Sequence, residues 1–185
     1  MLLQVVKMLR KRLGIEGIEK DWFWSGKLKV KDYFKIPTSL IIPEGCRRIG
    51  DKVFEDCNSL EEVSIPESVV EIGILTFVGC DNLREVIIPK SVKEVKHGAF
   101  RNCYGLKRVE IPKSVEKIGY CAFKYCRKLE KVEIPKSVKE IESYAFYGCE
   151  KAEIILKKAE SKFIIGKNAF LYCNRLEYVE KETRN

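Results

Sequence analysis

The sequence predicts a repeat solenoid of 23-residue units, each giving one short β-strand to a parallel sheet, with a helical cap at the N-terminal end. Three columns of residues predict it. Prolines fall at Pro43, Pro66, Pro89, Pro112 and Pro135, each 23 residues after the last. Phe54, Phe77, Phe100, Phe123 and Phe146 repeat the spacing, as do Cys57, Cys80, Cys103, Cys126 and Cys149. Phe170 and Cys173 continue two columns one residue late, so the last unit carries an insertion. A fixed period held in register by three residue types is the mark of a stacked array.

The apolar positions between these markers shape each unit. In Leu60-Glu-Glu-Val63-Ser-Ile65-Pro66, Val63 and Ile65 alternate with polar residues, the period-two pattern of a half-buried strand. The same strand recurs at Val86/Ile88, Val109/Ile111 and Val132/Ile134, and proline ends it because proline cannot donate to a sheet ladder. Val69, Val92, Val115 and Val138 then point inward, followed by Ile49, Ile72, Val95, Ile118 and Ile141 in a further apolar column. One such unit cannot bury its own apolar side, whereas a stack shares a continuous core.

The ends depart from the pattern. Stepping back one period from Leu60, Val63 and Ile65 reaches Pro37, Leu40 and Ile42, a degenerate first rung, with Phe34 in the cysteine position. Before it, Met1–Leu13 reads as an amphipathic helix, and with Trp22-Phe23-Trp24 it is expected to cover the open end of the core. The organisation expected is therefore a cap over 1–33, a solenoid of about six repeats over 34–180 and a polar tail over 181–185.

The segment IPKSVEKIGYCAFKYCRKL (Ile111–Leu129) resembles the BspA-type (Treponema-type) leucine-rich repeat, whose pattern is roughly IPxSVxxIGxxAFxxCxxL. The resemblance covers about Leu40 to Val179. It departs from the pattern at Lys96 and Glu142, which replace glycine, at Ala152, which replaces leucine, and over 157–163, where the IPxSV segment is lost. The resemblance implies a leucine-rich-repeat fold. It also implies a binding role, since proteins with this repeat are often surface proteins that bind host or matrix proteins.

Composition and spacing narrow the function. No run approaches the roughly 18 apolar residues of a membrane span. The order of charge and apolar residues at the N-terminus is not that of a secretory signal, so a cytoplasmic location is expected, or the cell surface or a secreted state if the chain is a fragment. The net charge of +8 divides into +5 over 1–40, −5 over 41–90, +5 over 91–150 and +3 over 151–185. An acidic block interrupting the basic ones argues against a nucleic-acid partner. With a single histidine, His97, in a variable and exposed column, a multi-histidine metal site is unavailable and a Ser-His-Asp site is not expected. No enzyme activity, metal or cofactor is expected. The eight cysteines lack close C-x2-C pairs, and stacked rungs would hold their sulfurs side by side. They are read as core.

What remains is surface. Outward strand positions form two columns: Ser39, Glu62, Glu85, Arg108 and Lys131, then Ile41, Ser64, Ile87, Glu110 and Glu133. The first changes from acidic to basic along the stack. Seven of the eight tyrosines lie at or beyond Tyr104, and Tyr120, Tyr125, Tyr144 and Tyr147 occupy non-core columns in adjacent rungs. Tyrosine is enriched at binding hot spots. The partner sites expected are therefore Glu62, Glu85, Arg108, Lys131, Glu110 and Glu133 on the strand face, and the four tyrosines. The function expected is a non-catalytic protein–protein interaction module, a monomer with a protein partner. The alternatives are an exported adhesin-like surface protein or a self-assembling structural element.

The cysteine reading is testable directly. Thiol titration of the denatured, non-reduced protein should find all eight cysteines free, and a smaller number would reveal a disulfide.

Overall fold

The computed structural model describes residues 38–42, 44–157 and 163–179. The expected helix and aromatic cap over 1–33, Phe34, Pro37, Pro43, most of the segment that departs from the repeat pattern and the tail over 181–185 lie outside them.

Thirteen short strands are described: β1 (Ser39–Ile41), β2 (Arg48–Ile49), β3 (Glu62–Ser64), β4 (Glu71–Ile72), β5 (Glu85–Ile87), β6 (Glu94–Val95), β7 (Arg108–Glu110), β8 (Lys117–Ile118), β9 (Lys131–Ile134), β10 (Glu140–Ile141), β11 (Glu153–Lys157), β12 (Ile164–Ile165) and β13 (Arg175–Val179). They form a parallel-strand solenoid. In the first column β1, β3, β5 and β7 pair in order, and β9, β11 and β13 carry the same column onward. The degenerate first rung falls where the period puts it, with Leu40 opposite Val63.

The sequence suggests one strand per unit, but most units have two. The second column pairs β2 with β4 and then β6, β8, β10 and β12 in order. Each of these strands up to β10 holds two residues, only one of them buried (Ile49, Ile72, Val95, Ile118 or Ile141). Two residues are too few for alternation to be visible, so the sequence shows an apolar column and hides the ladder.

The core is built rung on rung. Phe54, Phe77, Phe100, Phe123 and Phe146 are fully buried. Their rings stack face to face with centroids 5.1, 5.4, 5.4 and 5.0 Å apart, and Phe170 extends the stack at 5.7 Å. The cysteine column explains itself beside it. From Cys80 on, each thiol of the column donates to the phenylalanine carbonyl of the preceding rung: Cys80 to Phe54, Cys103 to Phe77 and Cys149 to Phe123 at 3.1 Å, Cys126 to Phe100 and Cys173 to Phe146 at 3.2 Å. All eight cysteines are free. Burial pushes the Cys80, Cys103, Cys126 and Cys149 thiols upward, which keeps the proton that the bond needs. Among the described residues, Thr76, at a position that is Ala99, Ala122 and Ala145 in later rungs, is the buried polar residue of this core, its hydroxyl within hydrogen-bonding distance of the Gly50 and Gly73 carbonyls at 3.0 and 2.8 Å.

The turn from each second strand back to the next first strand passes twice through the left-handed region. One column of positive φ holds Lys52, Leu75, Gly98, Cys121, Tyr144 and Asn168; the other holds Asp56, Gly79, Asn102, Tyr125, Gly148 and Tyr172. Their amides donate to the next rung, as Cys121 does to Ser143 at 3.2 Å and Tyr125 to Tyr147 at 2.8 Å. The last unit departs from the period in two steps. Glu153 pairs with Lys131, a spacing of 22 residues, and Ile164 pairs with Glu140, a spacing of 24. One residue is lost before β11, and two are inserted between β11 and β12.

Phe100 sits in the middle of the stack with a ring on each side. Phe100→Ala is expected to destabilise the fold by about 3–5 kcal/mol in urea unfolding; a loss below about 1 kcal/mol would show that the stack carries little of the stability.

Candidate binding surfaces

The strand face carries the first set of expected site residues. Glu62, Glu85, Arg108, Lys131, Glu110 and Glu133 are all exposed. They sit in register, Glu62 opposite Glu85 and Glu85 opposite Arg108. Five of the six are tied to one another or to a neighbour. Arg108 reaches Glu85 at 3.3 Å and also bonds Glu110, while Glu133 takes Lys131 at 3.1 Å and Lys157 at 2.6 Å. The bond from Lys157, with that from Lys131, holds the Glu133 carboxyl below its ordinary range. Exposed pairs of this kind stabilise little, but they cancel each other's charge. The acidic-to-basic gradient of this column is therefore largely neutralised where Arg108 and Lys131 stand.

The turn side carries the tyrosines, and the structure brings them together. Tyr120 meets Tyr144 edge-on at 5.9 Å, Tyr144 meets Tyr147 at 5.6 Å, and Tyr147 meets Tyr125 at 5.5 Å and Tyr172 at 5.2 Å. At the other end, His97 stacks on Tyr120 at 5.2 Å. The sequence suggests an exposed histidine, but this contact leaves His97 half-buried. Tyr120 and Tyr172 are the more exposed members, at 41% and 61%. The rings stand on four successive rungs and form one continuous band.

Cations are set into this band. Lys124 Nζ lies 5.1 Å from the Tyr125 ring centre, 5.3 Å from that of Tyr144 and 5.1 Å from that of Tyr147. Arg127 lies over Tyr104 at 5.2 Å and Tyr125 at 5.7 Å, and reaches Glu150 at 3.5 Å. The period accounts for two of the five contacts: Tyr147 stands 23 residues after Lys124, and Arg127 stands 23 after Tyr104. Equivalent positions on adjacent rungs lie about 4.8 Å apart, the reach of a cation–π contact. Tyr104, Lys124, Arg127 and Tyr172 are absent from the expected sites, although the columns contain the signal. It is legible only when charge and ring are compared one period apart.

Three of the band's rings sit on strained backbone. Tyr125 and Tyr144 have φ of 63° and 61°, as does Tyr172 at 64°, in columns where other rungs place Gly79, Gly98 and Gly148. A left-handed conformation costs a side-chain-bearing residue about 1–2 kcal/mol. Each edge-on ring contact returns about 0.5–1.5 kcal/mol. The tyrosines therefore gain the fold little over glycine, while presenting phenol and ring to the outside. Gly148 is needed for the arrangement, because a Cβ there would lie 2.5 Å from Cδ1 of Tyr125.

Among the described residues no cluster of His, Cys, Asp or Glu is placed to hold a metal ion, and no helix is long and apolar enough to cross a membrane.

Comparison with known proteins places this geometry. The BspA type Leucine rich repeat region matches in six copies, over residues 33–153 and 93–184. A leucine-rich repeat protein from Bacteroides ovatus is 33% identical with a TM-score of 0.66, the match covering 74% of this chain and 35% of that one. The T. pallidum leucine-rich repeat protein is 26% identical with a TM-score of 0.59, covering 76% of this chain and 78% of that one. A leucine-rich repeat protein from Eubacterium ventriosum shares the fold at 22% identity, with a TM-score of 0.61 over 75% of this chain and 44% of that one. No curated protein matches the chain by sequence.

The strain at Tyr144 sets an order between two substitutions. Tyr144→Gly and Tyr144→Ala both remove the ring, but only glycine relieves the backbone at φ 61°. The glycine variant should be the more stable by about 1 kcal/mol in urea unfolding. An alanine variant of equal or greater stability would show that no strain resides there.

Proposed function

The chain belongs to the BspA-type leucine-rich-repeat family, and we propose that it is a non-catalytic protein-interaction module whose contact surface is the tyrosine band of its turn side. One observation carries this reading. Five tyrosines (Tyr120, Tyr125, Tyr144, Tyr147 and Tyr172) form an unbroken series of ring contacts across successive rungs, with two cations held against them. Rigid aromatic groups flanked by arginine are the side chains that dominate protein–protein hot spots. A solenoid holds them in place before any partner arrives, which lowers the entropy lost on binding. The strand face is the weaker candidate, since Glu85, Arg108, Glu110, Lys131 and Glu133 are engaged with one another or with Lys157.

A non-catalytic role is supported by the placement of the one histidine, His97, whose ring is stacked on Tyr120. The partner belongs to whichever compartment holds the chain. An exported, host- or matrix-binding version of the role fits the family equally well. Its thiols are suited to either setting, because seven of the eight are buried.

Capture of a protein partner on immobilised chain tests the surface. The double variant Tyr120→Ala, Tyr144→Ala should lose about tenfold or more in affinity, as expected when hot-spot aromatics are truncated. A matched double variant on the strand face, Glu62→Ala and Glu85→Ala, should lose less than about threefold. The opposite order would move the contact surface to the strand face.

A further inference from the structure

The chemistry of the tyrosine band identifies the kind of segment it would take. Resting on the interaction-module reading above, we infer that the band binds an acidic stretch of a protein partner, its carboxylates meeting Lys124, Arg127 and Arg101.

The inference begins from how the cations are held. Several lysines elsewhere on this molecule are met by carboxylates: Lys96 by Glu71 at 2.5 Å, Lys117 by Glu142 at 2.6 Å and Lys139 by Glu116 at 2.7 Å. Such a pair has no net charge to offer. Lys124 is held instead by three phenol rings. A ring attracts a cation through its quadrupole but carries no charge of its own, so the ammonium is fixed in position and its full charge remains.

Arg101 strengthens the field. It stands in the same column as Lys124, one rung earlier, and its Nε is buried without a hydrogen-bond partner. Among the described residues neither Arg101 nor Lys124 has a carboxylate at ion-pair distance. Arg127, on the rung of Lys124, shares its charge with Glu150 at 3.5 Å, with both side chains more than half exposed. Three cations thus stand within two rungs, beside phenols that can donate hydrogen bonds.

A cationic ligand is the other guest that aromatic rings take, and it is disfavoured here. The faces of Tyr125, Tyr144 and Tyr147 already hold Lys124, and any second cation would meet Arg101 and Arg127 as well. An extended acidic peptide fits better. Its residues advance about 3.3 Å each, so neighbouring or alternate carboxylates can span rungs about 4.8 Å apart.

The test uses a fluorescein-labelled, end-blocked Glu-rich peptide, its Gln-substituted counterpart and a heparin fragment, each titrated against the full chain by anisotropy. The Glu-rich peptide should bind and the Gln peptide should not. Lys124→Gln should weaken binding about fivefold or more, and Lys124→Arg, which keeps the charge, should restore most of it. The control Lys113→Gln, Lys136→Gln removes two charges from the proline turn and should change affinity less than twofold, with circular dichroism showing each variant folded.

Absence of peptide binding would overturn the inference. So would equal losses in Lys124→Gln and the control, which would show mere attraction to a chain of net charge +8. Failure of Lys124→Arg to restore binding would do the same. Binding of heparin alone, dependent on Lys124, would replace the acidic peptide with an acidic glycan. If the peptide fails while Tyr120→Ala, Tyr144→Ala still abolishes capture of a protein partner, the interaction module stands and only its acidic preference falls.

Discussion

A single rung of this chain has nothing to close against except the next rung, and that dependence shapes the rest. A unit of 23 residues places one phenylalanine, one cysteine and a few aliphatic side chains on its inner side, far too little to form a core alone. Stacked, the phenylalanines find the ring above and the ring below at about the same separation throughout. Their carbonyls are met from the following rung by cysteine thiols at 3.1–3.2 Å. The thiol is small enough to share the interior with the ring and still carries a donor. Every inward position is therefore bound to its column, and a change in one rung is felt in its neighbours.

The same dependence leaves the turns comparatively unconstrained in side chain while fixing them tightly in backbone. Each rung must pass twice through positive φ to bring its amides onto the next rung's carbonyls. Lysine, leucine, cysteine, asparagine, aspartate, tyrosine and glycine all occupy those places. Glycine would be the easiest choice everywhere. Tyrosine at three of the positions in the later rungs spends backbone strain on groups that lie at the surface, and strain of that kind is more readily explained by contact than by stability.

Much of this was legible in the sequence, because a period turns spacing into geometry. Pro66, Phe77 and Cys80 each name a column, and the columns give the strand, the core and the direction of the thiols. Tyr120, Tyr125, Tyr144 and Tyr147 could be grouped for the same reason. The second strand could not be read, since one buried isoleucine in a two-residue strand has no alternation to show. Nor could the half-burial of His97, which depends on the Tyr120 ring lying across it. The ring-held state of Lys124 fell between these cases: its column is plain, but the geometry depends on Tyr125 and Tyr144 entering from left-handed turns.

The two faces of the solenoid differ in what they do with charge, more than in how much they carry. On the strand face, a glutamate and a basic residue on the same or adjacent strands meet and cancel, as Glu133 does with Lys131 and Lys157. On the turn side, Asp81 in the earlier rungs is raised by partial burial and by the nearby Asp56, while the later rungs set cations among rings. Lys124 there keeps its charge, because its neighbours are rings and not carboxylates. A field that is not cancelled locally acts at longer range, within the roughly 8 Å over which physiological salt screens it. On the proposed reading, the turn side, with Lys124 held by rings and not by a carboxylate, would orient a partner before contact and hold it after.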